Sequence, residues 1–327
     1  ISQGVIDLNA VGYADIPLPE REKFKLQIGD ILLSHINSLK HIGKSALYKE
    51  DFDLYHGMNL MLLRAKKGKI TPEYLHSLLT TTDARSHFRR FAKQAINQAS
   101  LNKQDISQLE VLLPPLPEQK KIAAILSSVD DTIQTTRETI EQTKKLKQGL
   151  MQELLTKGIG HTRFKKTEIG EIPEEWRTQH LEEVAKVFSG GTPSRAKPKY
   201  YCGSIPWVKS GEVNLDEILT TSEYISEEGL NNSSARWVRN GASLIAMYGA
   251  TAGQISRLRI RATINQAISA VEGRQNIVDD TFLFYALLNG ARKLMNLVQG
   301  SGQPNLNGKL IKQQILALPA TEEQKEI

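Results

Sequence analysis

The chain has 327 residues, with 42 basic against 36 acidic side chains and a net charge of +6. That length allows two domains that each bury a core, and the mild excess of positive charge is compatible with nucleic acid without requiring it. The single cysteine, Cys202, excludes a disulfide framework and fits a reducing, cytoplasmic setting; no apolar run approaches membrane-spanning length and no signal-peptide pattern is present.

In chain order, residues 30–35 follow a Gly-Asp turn as a short apolar run that predicts a strand, and residues 56–64 predict another. Thr71-Pro72-Glu73 opens a helix, with Thr71 as N-cap, Pro72 at the first position, and Tyr74, Leu75, Leu78 and Leu79 on one face. Residues 85–93 carry Arg85, Arg89, Arg90 and Lys93 around His87, Phe88 and Phe91. On a helix, Arg85 with Arg89 and Arg89 with Lys93 are i, i+4 pairs, which describes either a solvated face or one that tracks phosphates. Residues 94–103 read as a polar loop and 109–116 as a short strand closed by prolines.

Residues 117–157 predict one long helix. Pro117 suits its first turn, and glycine is absent until Gly149. Ile122, Leu126, Val129, Ile133, Ile140, Leu146, Leu150 and Leu154 fall mostly at heptad steps, with Thr136 and Thr143 in the gaps. Such a seam pairs with another helix rather than lying on a sheet, an ordinary bundle helix being the alternative. Fully helical, the segment is about 60 Å long. Lys157 and Gly158 end it. Residues 158–173 read as a linker. The second domain begins at Trp176 with an amphipathic segment (Leu181, Val184, Ala185, Phe188) and continues through Ser189-Gly-Gly-Thr-Pro-Ser194. Residues 205–208 and 241–248 are predicted strands, 249–253 a glycine-bearing turn, 280–288 a helix, and 300–305 a polar loop.

A repeat organises these elements. Shifted by 205 residues, 101–122 falls on 306–327 without a gap, and ten of the 22 positions are identical. Average composition would give about one or two. Upstream, Ile42-Gly43-Lys44 meets Ala252-Gly253-Gln254 and Met58-Asn59 meets Ile264-Asn265. A period this long means two copies of one domain, each followed by a helix. Residue 1 corresponds to about residue 208, so the first copy is expected to lack its opening, and the second helix to be cut short. Thr321-Glu-Glu-Gln324 reads as that helix's capping box.

Catalytic patterns are missing. Ile42-Gly43-Lys44-Ser45 resembles a phosphate loop, but the required upstream glycine is Ser38 and the other copy has no lysine there. Leu113-Pro-Pro-Leu116 lacks the amide or acid before and the aromatic after that an adenine methyltransferase needs. The seven histidines form no zinc pattern and no nucleophile elbow occurs. Loops rich in Gly, Ser, Thr, Gln, Asn, Arg and Lys recur at matching places, a chemistry suited to base edges and phosphates.

Two domains that each end in a Leu-Pro and Glu-Gln-Lys-x-Ile lead-in to a long helix resemble the specificity subunits of type I restriction–modification systems. Residues 162–176 are similar to that family's approach to its second domain, as are Ser189-Gly-Gly-Thr-Pro-Ser194 with Ile205-Pro-Trp207, and Gly249-Ala-Thr-Ala-Gly253 with Asn265-Gln266. The resemblance covers essentially the whole chain. It implies an α+β protein in which two similar target-recognition domains are separated by a long helical coiled-coil spacer. The expected bounds are 1–115 and 159–319 for the domains, 116–158 for the spacer helix, and 320–327 for the start of a second.

The resemblance further implies a non-catalytic subunit that binds double-stranded DNA at a bipartite target. It would dock two adenine-N6 methyltransferase subunits and restriction/translocase subunits, with S-adenosylmethionine and ATP/Mg on those partners, no cofactor or metal of its own, and no membrane. A scaffold of duplicated adaptor domains, without DNA, is the rival. Loop position and residue chemistry nominate Lys40, His41, Lys44, Arg85, Arg89, Arg90 and Lys93 for DNA in the first domain. In the second they nominate Thr192, Ser194, Arg195, Lys197, Lys199, Lys209, Tyr248, Thr251, Gln254, Gln303 and Asn305. Glu118, Gln119 and Lys120, with Glu323, Gln324 and Lys325, are nominated for partner contact.

Overall fold

Both halves of the chain are built around a buried strand that follows a left-handed glycine, Gly29 in one and Gly241 in the other. The computed structural model describes residues 1, 4–50, 52–214, 217–296 and 306–327. These fall into two units, Ile1–Ile140 and Glu141–Ile327. In the first, Ile31–Ser34 lies between Ser45–Leu47 and Leu60–Leu63, antiparallel to both. All four residues of Ile31–Ser34 are buried, which explains a run without alternation. The predicted strand at 56–64 is shorter than expected, because a turn occupies its first residues.

In the second unit, Ser243–Ala246 takes the central place between Ile255–Leu258 and Ile268–Gly273. This sheet is wider. Ala185–Ser189 pairs with Ile268–Gly273, and Glu217–Ile218 runs parallel to Ile255–Leu258. A four-stranded sheet holds Tyr224–Ile225, Ile205–Val208, Ala262–Ile264 and Trp237–Val238 in that order. Leu244, Ala246 and Ala270 of the first sheet pack with Val208, Val238 and Ile264 of the second.

The sequence repeat is also a repeat of hydrogen bonds. The Gly43 amide donates to the Ser34 carbonyl at 2.8 Å and the Ser34 amide to the Lys44 carbonyl at 2.8 Å. Gly253 and Ala246 do the same at 2.8 Å, with the return bond from Ala246 to Gln254 at 3.0 Å. Gly43 (φ +72°) and Gly253 (φ +79°) sit in the left-handed region, where a side chain would also run into Phe88 and Met295 respectively.

Helices cover these sheets. Pro72–Thr80 starts at Thr71, whose hydroxyl accepts from the Tyr74 amide at 3.3 Å. Asp280–Asn296 starts with the Asp279 carboxylate accepting from the Thr281 amide at 2.7 Å and the Phe282 amide at 3.1 Å. Leu79 and Phe88 bury against Ile31 and Leu33 in the first unit; Phe282, Leu283 and Leu287 bury against Ile245 and Val271 in the second.

Leu116–Lys157 is one continuous helix of 42 residues. Ala123 and Leu155 near its ends are buried, whereas Leu126, Val129, Ile133, Ile140, Leu146 and Leu150 are exposed. Thr132 and Thr136 turn their hydroxyls back to carbonyls one turn earlier, at 2.8 Å each.

Several expectations need correction. Residues 94–103 are not a loop. Lys93–Ala95 and Gln98–Ser100 form a hairpin about Asn97 (φ +60°), and Asn102 then caps the helix Lys103–Ser107. Residues 109–115 are not a strand. Their counterpart Ile315–Leu318 is one because it pairs with Arg177–His180, and among the described residues no strand lies beside 109–115. The linker at 158–173 contains a hairpin, Phe164–Thr167 with Gly170–Pro173. Thr321–Glu326 has Ala320 at its N-cap and no capping box, because the Gln324 side chain is engaged elsewhere. The loop at 300–305 lies outside the described residues.

Candidate nucleic-acid interface

The second unit assembles its candidate site from loops that leave four strands. Ala185–Ser189 ends in Gly190-Gly191, and a Cβ on Gly190 would collide with the Ile264 backbone. Only glycine lets this chain pass so close, and the Gly191 amide then donates to the Ile264 carbonyl at 3.0 Å. The buried Trp207 indole donates to the Gly191 carbonyl at 3.0 Å, and the Thr192 hydroxyl donates to the Gln266 side chain. The loop thus starts from a fixed base.

Beyond it, the Arg195 guanidinium lies 4.1 Å from the Tyr201 ring centroid and 5.2 Å from that of Trp207. It also donates to Glu223 at 2.7 Å. Glu223 takes a second cation, Lys209, at 2.6 Å. The Lys209 hydrogen bond, aided by Arg195 and opposed by burial, holds the Glu223 carboxyl below the usual carboxylate range. Burial pushes the Tyr201 phenol up, and its hydroxyl donates to the Pro193 carbonyl at 2.5 Å. Next to Lys209, the Ser210 carbonyl accepts from the Thr251 hydroxyl at 2.8 Å, which joins the turn holding Tyr248, Thr251 and Gln254 to the same cluster.

Arg195 and Lys209 therefore meet at Glu223, with Thr192 anchored beside them on Gln266 and Thr251 on the Ser210 carbonyl. Ser194 is exposed on the same loop, and Tyr248 and Gln254 are exposed on the turn. Lys197 and Lys199 both lie against the Tyr200 ring, Lys197 donating to its hydroxyl at 3.0 Å and Lys199 pairing with Glu228 at 2.5 Å. Gln303 and Asn305 lie outside the described residues. Sequence reading missed Glu223 and Gln266 as site members. An acid 28 residues beyond Arg195 carries no local signal of pairing.

In the first unit, His41 and Lys44 line a cleft of about 760 Å³ with Ser34, Asn37, Asn59, Asn97 and Gln98. Lys40 is exposed on the turn before it. The cleft is amide-rich, and its Asn97-Gln98 rim exists only because residues 93–100 are a hairpin. The basic helix divides. Thr82–Phe91 ends before Lys93, which belongs to the hairpin, so Arg89 and Lys93 share no helix face. Arg89 and Arg90 are exposed, and Arg90 lies 5.6 Å over the Phe91 ring. Arg85 is half-buried with its Nε enclosed, and it lines a cleft with Glu73, His76, Asp130 and Asp131. Lys49 and Arg137 line the same cleft, so its charges are mixed, and the enclosed Nε sets Arg85 apart from the exposed Arg89 and Arg90.

The nominated partner segments are corrected in part as well. Gln119 is fully buried: it accepts from the Thr71 amide at 3.0 Å and donates to the Lys69 and Pro114 carbonyls at 3.0 and 2.8 Å. Gln324 repeats this. It accepts from the Asp279 amide at 2.8 Å and donates to the Ile277 and Pro319 carbonyls at 3.1 and 2.9 Å. Each glutamine latches a helix start to the loop before the covering helix and is closed to any partner. Glu323 is likewise inward, accepting from the Trp176 indole at 3.0 Å, the Ile159 amide at 3.1 Å and His161 at 2.9 Å. Glu118, Lys120 and Lys325 remain exposed. Among the described residues no group of His, Cys, Asp or Glu is arranged to hold a metal ion.

Comparison with known proteins gives consistent findings. The family model of the type I restriction modification DNA specificity domain matches residues 9–145 and 173–327. The chain is 36% identical over 333 residues to the protein of Methanocaldococcus jannaschii designated MjaX type I restriction enzyme specificity subunit, covering 100% of this chain and 76% of that one. It is 32% identical over 236 residues to the MjaVIII specificity subunit of the same organism, covering 69% of this chain and 55% of that one. It shares its fold with the S subunit of the type I restriction–modification system from M. genitalium, at a TM-score of 0.63 and 15% identity, covering 93% of this chain and 75% of that one.

Proposed function

The chain belongs to the type I restriction–modification DNA specificity family, and from that premise we propose that each of its two units reads one short block of a bipartite DNA target. It is a non-catalytic target-recognition subunit. Methylation of adenine N6 and restriction are the work of its partners: two methyltransferase subunits that carry S-adenosylmethionine, and restriction/translocase subunits that use ATP with Mg. Residues 1–115 and 159–319 are the two readers, 116–158 the spacer, and 320–327 the start of a second spacer helix. The number of unread base pairs follows from the spacer length.

The observation that carries this proposal is the duplication of one hydrogen-bonded scaffold, latched by Gln119 in one copy and Gln324 in the other. Donor-rich loops leave it in both copies. Lys40, His41, Lys44, Arg89, Arg90 and Lys93 supply DNA contacts in the first unit. Thr192, Ser194, Arg195, Lys197, Lys199, Lys209, Tyr248, Thr251 and Gln254 supply them in the second, together with Gln303 and Asn305. Glu118, Lys120 and Lys325 are exposed where each helix begins and are assigned to methyltransferase contact. Among the described residues no helix is long and apolar enough to cross a membrane; we place the protein with its DNA in the cytoplasm.

The test is a map of N6-methyladenine in cells expressing the complete gene with its methyltransferase partner. Two short blocks with a fixed unread gap support the proposal. No motif, or one continuous block, returns the chain to the scaffold alternative. Charge reversal at Arg89 and Arg90 should weaken DNA binding on all sequences and flatten its salt dependence by about one unit of slope for each phosphate no longer neutralised. An unchanged slope removes that helix from the interface.

A further inference from the structure

Arg195 differs from the other cations of the second unit in how it is held. Its planar face rests on two aromatic rings, at 4.1 Å from Tyr201 and 5.2 Å from Trp207. Trp207 is itself fixed by burial and by its bond to Gly191, and Tyr201 by its bond to Pro193. One guanidinium nitrogen, Nη2, is engaged by Glu223 at 2.7 Å. The Arg195 side chain is nonetheless 55% exposed, and Glu223 is its one acidic partner among the described residues. The group is therefore fixed in plane by stacking and fixed in rotation by one carboxylate, while more than half of the side chain stays exposed. Neutralising charge alone needs neither constraint, whereas a guanidinium that binds through two parallel bonds, to a phosphate or to a base edge, gains from both. Bidentate recognition of a base edge needs both.

We propose that Arg195 is the guanine-reading residue of the second unit, donating two hydrogen bonds to the O6 and N7 acceptors of one guanine in the major groove, and that Glu223 is its positioning residue. The proposal rests on the reading of this chain as a target-recognition subunit and adds the base, the residue and the device that aims it. Guanine is the choice because an arginine has donors only, and guanine presents two adjacent acceptors on its major-groove edge. Lys209, on the other oxygen of Glu223, offers a compact charge and is suited to a neighbouring phosphate.

The experiment is the same methylation map, made with the full-length subunit and its methyltransferase partner, for the unaltered protein and for Arg195→Ala, Arg195→Lys and Glu223→Ala. The expected result is one guanine in one block becoming degenerate in R195A, with on the order of 10- to 100-fold loss of discrimination at that position. The other block and the gap stay as they were. R195K keeps the charge but loses the fork and its planar stacking, and should relax the same position. E223A should relax it too, and the R195A/E223A double variant should go no further than R195A, as expected for two groups acting as one unit.

A merely structural role predicts something else: methylation falls evenly at every position, with no change of motif, in parallel with a lowered melting temperature. That outcome overturns the proposal. Full discrimination in R195K also overturns it, because a phosphate contact survives that substitution. If R195A abolishes methylation, R195K alone decides, and an even loss there counts against the proposal. A map of the unaltered protein without two blocks defeats the subunit reading, and this inference with it. A two-block map that R195A leaves unchanged defeats this inference alone.

Discussion

The two units close the same scaffold with different chemistry. In the first, the residue after the leading glycine is Asp30, buried to 1% exposure and held by both arms of Arg64 at 2.6 and 2.7 Å, with the Gln27 amide at 2.8 Å. In the second, the same place is Ala242, fully buried among Leu244, Leu258 and Ala262. The backbone hydrogen bonds around the two positions match; the side chains do not. What differs is the neighbour. A second sheet covers Ala242 and excludes water, so a charge there would be left without hydration. Arg64 is half-exposed and keeps its own hydration while it neutralises Asp30. The pair lifts the Arg64 pKa above its ordinary value, with the Asp30 hydrogen bond as the largest cause. A scaffold defined by backbone bonds thus tolerates opposite side-chain solutions, provided each satisfies its own surroundings.

The glutamine latches set the limits of that comparison, because they are the same in both units. Gln119→Leu and Gln324→Leu should each cost about 3 kcal/mol, since three backbone groups, most of them part-buried, lose their partner. Hydrogen exchange of the central strand amides, Ile31–Ser34 in one unit and Ser243–Ala246 in the other, reads the two separately. Similar losses confirm a shared latch, and a small loss in one unit breaks the equivalence. Asp30→Asn should cost about 1–2 kcal/mol in the first unit alone, by weakening the two bonds between a buried carboxylate and a half-exposed Arg64. Adding Arg64→Met should recover part of it in the same exchange measurement, whereas a fully additive double variant would mean the two groups do not act as a pair.

A smaller difference is expected at the left-handed glycines. Gly43→Ala presses on the Phe88 ring, fully buried in the core, and Gly253→Ala on the flexible Met295 thioether. Both carry backbone strain of about 1 kcal/mol; Gly43→Ala should exceed Gly253→Ala by about another 1 kcal/mol, because a methionine can move aside and a packed ring cannot. Equal costs in chemical denaturation would show that Phe88 yields as easily. The smallest effect is on pH. Burial, with Lys49 adding to it, pushes the His76 imidazole below its ordinary value, against the Ser45 carbonyl. The unfolded chain then binds a proton near pH 6.5 that the folded chain does not. Stability of the first unit should therefore fall as pH drops through about 6.5. His76→Gln should flatten that part of the pH profile, and a profile unchanged by the substitution assigns the effect to another group.

Some of this is legible in the sequence. Thr71-Pro72 predicts its helix start because both residues act locally, one by accepting an amide of its own first turn and the other by its fixed φ. The hairpin at 93–100 escapes a sequence reading because its one turn signal, Asn97, sits in a stretch otherwise polar enough to pass for loop. The strand expected at 109–116 does not form, since the sequence resembles its counterpart at 315–318 but a strand also needs a neighbour to pair with. The basic run at 85–93 looks uniform in sequence, and tertiary packing divides it among the interior, the surface and a strand.

By itself the sequence determined what is written in local or repeated pattern: the long helix with the glycine that ends it, the duplicated domain and the family. Only the tertiary structure decided which polar residues face inward. Gln119 meets Lys69 and Thr71, Gln324 meets Ile277 and Asp279, and Arg195 meets Glu223, each across dozens of residues. A backbone preference acts within a few residues and leaves its mark in spacing. A buried polar side chain must find its partner wherever the fold has brought one, and no spacing along the chain records that.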